Sequence, residues 1–178
     1  MFVNVADMQL GKVRLSETFA PGAVEFFDPQ LRQATPLVFS GVAELSQAIL
    51  EIRISGHLST SMEVACDRCL EPVSFPIEAD FNLLYWPVSA GPAQPELAIA
   101  GEETEVGFYE GEGLDLRDVL REQVLLLLPM RRVCREDCQG ICPVCGQNRN
   151  EAACDCRQEM ADDRWAGLRN LRPLNSLQ

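Results

Sequence analysis

Histidine is nearly absent: His57 is the only imidazole in 178 residues. It falls on the polar side of an expected strand, where a lone histidine is ordinarily a solvated side chain and not a catalyst. No serine elbow, phosphate-cradling glycine loop or His-Glu-x-x-His pair occurs, so the common hydrolase and nucleotide-binding signatures are missing. The acids of 102–112 read as a solvated run, since nothing suggests the burial that an acid–base pair needs. No apolar run approaches the roughly 18 residues of a membrane helix; the longest, near Val124–Met130, is far shorter. The opening MFVNVADMQLGKVRL lacks the basic patch and apolar core of a secretory signal, which makes the cytoplasm the expected compartment. Neither a membrane nor a small-molecule substrate is expected as a partner. An apolar fraction of 47% still suits a globular chain and argues against disorder.

Positive charge is scarce in one part of the chain. Residues 1–130 carry 7 Lys/Arg against 20 Asp/Glu, a balance of −13. Residues 131–178 carry 8 Arg against 7 Asp/Glu, a balance of +1. Phosphate binding relies on cationic side chains, so the first part should repel nucleic acid. An acidic body better suits a basic protein partner, of which ribosomal proteins are one class. Arg131, Arg132, Arg135, Arg149, Arg157, Arg164, Arg169 and Arg172 are the candidates for RNA contact. The alternative is that they balance local acids and thiolates.

Cysteine is what the chain has in excess: Cys66, Cys69, Cys134, Cys138, Cys142, Cys145, Cys154 and Cys156. In a reducing compartment, tight cysteine pairs hold metal more often than they form disulfides. A zinc ion in four thiolates has bonds of about 2.3 Å, which sets neighbouring sulfurs roughly 3.8 Å apart. A Cys-x-x-Cys turn provides that spacing. Cys66-Asp67-Arg68-Cys69 fits, and Cys142-Pro143-Val144-Cys145-Gly146 fits better. Pro143 pre-sets a turn angle and Gly146 can take the positive φ such a turn often needs. Cys134 and Cys138 share a face if that stretch is helical. Cys154-Asp155-Cys156 needs a bent chain to chelate, because a straight strand points them apart. Eight thiolates make two sites. The favoured partition is Cys66, Cys69, Cys134 and Cys138, then Cys142, Cys145, Cys154 and Cys156. A second partition joins the knuckles, Cys66/Cys69 with Cys142/Cys145, and both stay open. Two zinc ions are expected, with iron ranked second. Zinc in a closed four-cysteine shell has no open position for water, so its role is structural and no enzyme is expected.

The fold expectation is α+β. Leu50, Ile52, Ile54 and Leu58 alternate with Glu51, Arg53, Ser55 and His57, the period-2 signature of a half-buried strand. Leu37–Leu45, Met62–Ala65 and Val73–Tyr85 are expected as its neighbours, joined by turns at Ser46-Gln47 and Ser59-Thr60-Ser61. Val3–Val5, Lys12–Leu15 and Val106–Tyr109 add further strands. Residues 87–105 read as a loop. Asp115 reads as an N-cap, with Leu116, Val119, Leu120, Gln123, Val124 and Leu127 forming a helical stripe that Pro129 ends. These leucines are expected in the core. The result is a β-rich acidic domain over 1–130, an antiparallel meander or barrel-like sheet with one covering helix near 115–128. A cysteine-rich zinc-binding module over 131–178 follows. It closes with a short helix that Asp162 or Asp163 caps and that presents Trp165, Leu168 and Leu171.

Four segments taken in order resemble the YceD family, the large ribosomal RNA subunit accumulation proteins. They are CDRCLEPV at Cys66–Val73 and the Leu-Asp-Leu lead into a helix ending LLLLPM at Leu125–Met130. CREDCQGICPVCGQNRN at Cys134–Asn150 with Cys154-Asp155-Cys156 follows, and DRWAGLRNL at Asp163–Leu171 is last. The resemblance covers about the last two thirds of the chain. It implies a bacterial factor needed for accumulation of 23S ribosomal RNA, and so for large-subunit assembly, with the large-subunit precursor as its partner. Some family members lack the distal cysteine group, which implies the first of the two partitions. The competing expectation is a redox-regulated zinc chaperone or thiol redox protein, because Cys-x-Cys and Cys-x-x-Cys can release zinc on oxidation.

Overall fold

The computed structural model describes residues 1–88 and 106–156. The loop expected beyond Val88 and the C-terminal helix with Trp165, Leu168 and Leu171 lie outside the described residues. The elements in chain order are β1 (Phe2–Asn4), α1 (Val5–Gln9), β2 (Val13–Phe19), β3 (Leu31–Gln33) and β4 (Leu37–Ser46). Then come β5 (Glu51–Ala65), β6 (Pro72–Pro87), β7 (Val106–Tyr109), β8 (Gly113–Asp115) and α2 (Leu116–Leu127).

β5 is the spine. Ile52, Ile54, Leu58, Met62 and Val64 share one parity and are buried, as a pleated strand requires when one face is covered. Thr60 shares that parity and is also buried; its hydroxyl donates to the Thr35 carbonyl at 3.2 Å. Ser59-Thr60-Ser61 is therefore strand interior, not the expected turn, and Met62–Ala65 continues β5. Polar composition misleads here because the one inward hydroxyl finds a partner. Leu50, expected in the alternation, instead sits in the β4–β5 turn at φ 54, and its carbonyl accepts the Tyr109 hydroxyl at 2.7 Å.

The main sheet runs β2-β4-β5-β6-β7, with β3 beside the far end of β5. The antiparallel meander holds from β2 to β6. β7 departs from it and pairs parallel with β6, Leu84 opposite Val106. Among the described residues the sheet is open, with β2 and β7 at its edges, and the barrel-like closure does not form. A parallel return needs a crossover of a dozen or more residues, which the long 88–105 connection supplies. β1 and β8 make a separate two-stranded sheet, with Phe2 opposite Asp115. The strand expected at Val3–Val5 therefore gives way at Val5 to α1, a second helix capped by the Asn4 side chain.

α2 starts as read: the Asp115 side chain accepts the Arg117 N–H at 3.0 Å, the ordinary N-cap bond. Leu116, Val119, Leu120 and Val124 pack with Leu15, Phe39, Ile54 and Tyr85 in one core. The stripe then breaks. Leu128, not Leu127, is buried, and Leu125, Leu126 and Leu127 are exposed. Leu128 stands before Pro129, and the proline ring drives it out of helical geometry, to ψ 137. That shift turns Leu128 inward and leaves the preceding leucines on the surface. At the sheet centre Gly41 faces Gly56, and a Cβ on either would fall within 2.9 Å of the partner strand and the Phe39 ring. Two glycines there let the strands twist beneath a fully buried aromatic ring.

Candidate metal centres

The β5–β6 hairpin ends in the first knuckle. The Leu70 N–H donates to the Cys66 carbonyl at 3.0 Å and the Cys66 N–H to the Glu71 carbonyl at 2.8 Å. The second knuckle repeats the pattern, Gly146 to Cys142 at 2.8 Å and Cys142 to Gln147 at 2.8 Å. Both turns need a left-handed residue after the second cysteine. Gly146, at φ 75, supplies it freely, while Leu70 is held there at φ 64.

The residues between Cys66 and Cys69 are clamps. Asp67 donates its N–H to the Arg132 carbonyl at 2.7 Å and takes the Arg132 N–H on its carboxylate at 2.7 Å. The Arg68 guanidinium donates to the carbonyls of Cys138 at 2.8 Å and Glu136 at 3.3 Å, and the Arg68 carbonyl accepts the Ile141 N–H at 2.9 Å. Gly140 passes so close that a Cβ would sit 2.9 Å from that carbonyl. These bonds bring the later chain onto the knuckle.

Two sulfur groups result. Cys66, Cys69, Cys134 and Cys138 have ligand atoms all within 4.8 Å of one another, as do Cys142, Cys145, Cys154 and Cys156. The partition that joins the two knuckles in one site is not the one formed. Cys66 lies 3.9 Å from Cys138 and Cys69 lies 3.7 Å from Cys134, sulfur to sulfur. That is the edge of a tetrahedron around an ion about 2.3 Å from each sulfur. No cysteine is in a disulfide. Soft thiolate sets of this shape fit zinc, or iron as the competitor, and leave no ligand position for water.

Hydrogen bonds reach the sulfurs from outside. Cys66 Sγ receives the N–H groups of Arg68 at 3.5 Å and Cys134 at 3.4 Å. Burial pushes the Cys66 thiol up, but the N–H groups of Cys69, Arg68 and Cys134 outweigh it and bring it down to about 6. Burial likewise opposes ionisation of Cys138, and the Asn150 amide and Gly140 N–H draw it below the usual thiol range. Cys134 is pushed up to about 12 by burial and by its neighbouring sulfurs. In the second group the N–H groups of Cys145 and Val144 bring Cys142 down to about 6, while Cys145 and burial push Cys156 up to about 12. Four crowded thiolates repel, so without a cation protons are shared unequally among them. A divalent ion removes that conflict.

Asn150 is the residue that sequence reasoning missed. Its amide nitrogen donates to Cys138 Sγ at 3.4 Å, while its oxygen accepts the Gln139 N–H at 2.8 Å and an Arg135 guanidinium N–H at 2.9 Å. Asn150 belongs to the stretch between Cys145 and Cys154, so the second group's loop supports a ligand of the first. Leu70 was missed too. Aligning Cys-x-x-Cys-Leu with Cys-x-x-Cys-Gly would have flagged it.

Three of the candidate arginines are engaged locally. Arg132 approaches Asp28 at 3.9 Å, Arg135 pairs with Asp137 at 3.3 Å, and Arg149 lies against the sulfurs of Cys142 and Cys154. Arg157, Arg164, Arg169 and Arg172 lie outside the described residues. His57 is on the polar face as read, its Nδ1 2.9 Å from Asp80.

A family model described as large ribosomal RNA subunit accumulation protein YceD matches residues 54–172. The chain belongs to the YceD family. It is 33% identical over 129 residues to an uncharacterized protein of Mycobacterium tuberculosis, covering 71% of this chain and 57% of that protein. It is 27% identical over 146 residues to the chloroplastic large ribosomal RNA subunit accumulation protein YCED homolog 1 of Arabidopsis thaliana, covering 68% of this chain and 44% of the homolog. The homolog of the same name in Zea mays is 25% identical over 146 residues, covering 69% and 49%. The chain thus spans about half the length of the curated relatives it matches. No solved structure matches it.

Proposed function

We propose that this YceD-family chain is a non-catalytic factor in large-ribosomal-subunit assembly, supporting accumulation of 23S ribosomal RNA in the cytoplasm, with two structural zinc ions. The observation that carries the reading is the convergence of all eight cysteines into two four-sulfur groups in a chain whose family is described by large ribosomal RNA subunit accumulation. A closed thiolate shell supports a rigid surface rather than a reaction centre. The acidic part over 1–130 and the cysteine-rich part over 131–178 act as two domains that the first cysteine group ties together. The acidic part meets a basic ribosomal protein, and C-terminal arginines contact RNA. No helix among the described residues is long and apolar enough to cross a membrane.

Affinity capture from cells, with metal analysis of the same sample, tests this reading. Co-purification of large-subunit precursors with two zinc ions per chain is expected, and both decline when Cys142 and Cys145 are replaced. Capture of neither precursors nor ribosomal proteins would reject it; a brown preparation would replace zinc by iron. A second reading, a redox-regulated zinc chaperone, draws on the exposure of Cys145 and the half-burial of Cys154 and Cys156. Holdase activity switched on by mild peroxide as zinc is ejected would favour it.

A further inference from the structure

A groove of about 1080 Å³ opens beside β3. Topology creates it. β2 ends at Phe19, opposite Leu37, and does not extend along β3. β3 pairs with β5 on one edge only. Residues of the Pro21–Pro29 stretch and of β3 line the groove together, and the Leu31 N–H donates to the Asp28 carbonyl at 3.0 Å. Phe26 and Leu31 give it an apolar lining, and Glu25, Asp28 and Glu63 give it negative charge, with Arg132 3.9 Å from Asp28. Arg32 is the one cation in its lining, and it is already paired with Glu63.

Two independent observations point to an occupant. Gln33 lines the groove yet is only 6% exposed. Its amide nitrogen donates to the carbonyls of Phe19 at 3.0 Å and Thr35 at 2.9 Å, which fixes the other end of the amide as the oxygen. That oxygen is a buried acceptor with no donor among the described residues. Such a group costs about 1–3 kcal/mol while unpaired. Phe27, also in the lining, is 71% exposed and sits at φ 55, with the Arg121 guanidinium over one face of its ring at 4.8 Å from the centroid. A bulky side chain in the left-handed region is a strained arrangement, and strain of this kind gathers at ligand clamps.

We infer that this groove docks an extended lysine- and arginine-rich segment of a basic protein, laid along the free edge of β3. A strand edge offers main-chain groups to such a segment, and the acids select cationic side chains whose alkyl stems lie on Phe26, Phe27 and Leu31. Gln33 Oε1, just inside the wall, takes an N–H once the Pro21–Pro29 stretch yields slightly. Glu25, Asp28 and Glu63 outnumber Arg32 and Arg132 here, so nucleic acid is disfavoured. The inference deepens the basic-partner reading above and rests on it. Residues 21–34 precede the span matched by the family model, which begins at 54, so the groove is mainly a feature of the rest of this chain.

The test titrates the full chain, loaded with zinc and at physiological salt, into a short fluorescein-labelled peptide alternating arginine with valine. Binding is read by anisotropy and mapped by amide chemical shifts. Glu25→Gln combined with Phe27→Gly, both on exposed positions, is expected to weaken binding at least about ten-fold, with shifts confined to 21–34 and the facing part of β5. Glycine suits the φ of residue 27, so this variant keeps the fold. Glu78→Gln alone removes equal charge from β6 and is expected to change affinity less than about two-fold. Equal losses in both variants, shifts elsewhere, tighter binding of a single-stranded RNA at the groove, or filling of the groove by a second copy in sedimentation would each overturn the inference. Peptide binding by the pure chain does not depend on ribosomal precursors. A failure here and a failure of capture from cells are therefore separate results.

Discussion

The two sulfur groups use the same knuckle and do different work with it. The first recruits ligands across 65 and 72 positions of sequence. Cys66, Cys69 and Cys138 are buried, and Val73 and Val133 pack against them. The second draws all four ligands from one stretch, and only Cys142 of them is buried. A local turn with two cysteines is therefore only half a site; its consequence depends on where the other half comes from. In the first group, the free energy of binding a metal would become tertiary structure. In the second it would order a loop, and through Asn150 that loop supports the first.

Replacing a ligand in each group should break the symmetry most clearly. Cys66→Ser is expected to remove one metal and to cost about 3 kcal/mol or more in thermal unfolding, because distant segments lose their tie. Cys142→Ser is expected to remove one metal also, yet to leave the main sheet's unfolding within about 1 kcal/mol. Metal content by mass spectrometry and melting by circular dichroism check both; equal melting losses would erase the distinction. Next in size is the bond between the groups. Asn150→Ala should weaken metal retention in the first group about 10- to 100-fold, as loss of an outer hydrogen bond to a ligand does, while the second group holds its metal. Chelator competition reads this directly.

Smaller effects follow from the residue after each knuckle. Leu70→Gly should stabilise by up to about 1 kcal/mol, and Gly146→Leu should destabilise by about the same amount, since only glycine is unstrained at these angles. Denaturant melts of the two variants should move in opposite directions. Acid distinguishes the cysteine end from the helix start. Thiolate protonation releases metal first as pH falls. Asp115 fails later: the Arg117 side chain, against the cost of burial, holds its carboxyl at about 2, below the usual 3.8. A depressed carboxyl contributes stability that is present above about pH 4 and is lost as pH falls through about 2. About 1 kcal/mol should disappear in that window, and Asp115→Asn, which keeps a capping oxygen, should flatten the dependence.

Much of this was legible in the residues. Cysteine spacing anticipated two groups but left two partitions open, of which the family resemblance implied the one formed, and Asp115 with the leucine stripe anticipated α2. Period-2 alternation found β5 but not its length, because Thr60 looked like turn chemistry until the Thr35 carbonyl was placed beside it. The parallel β6–β7 pair and the open sheet were hidden, since local pattern carries no information about strand order. The outward leucines of α2 were hidden for a related reason: helical phase predicts a face only until Pro129 alters the path. Asn150 was invisible because nothing marks an asparagine as bound for a sulfur that lies in another group.

The clamp made by Asp67 and Arg68 gives the chain an unusual tolerance. Everything between Cys69 and Cys134 is a closed circuit, joined at its base by sulfurs and by the hydrogen bonds of those two residues. A single backbone cut anywhere inside that circuit would leave two pieces still fastened to each other while metal is held. Lengthening the connection between β6 and β7 should be nearly free, since doubling a loop adds only about 0.6 kcal/mol of closure entropy. The long crossover is where this molecule can acquire new sequence without disturbing its ends.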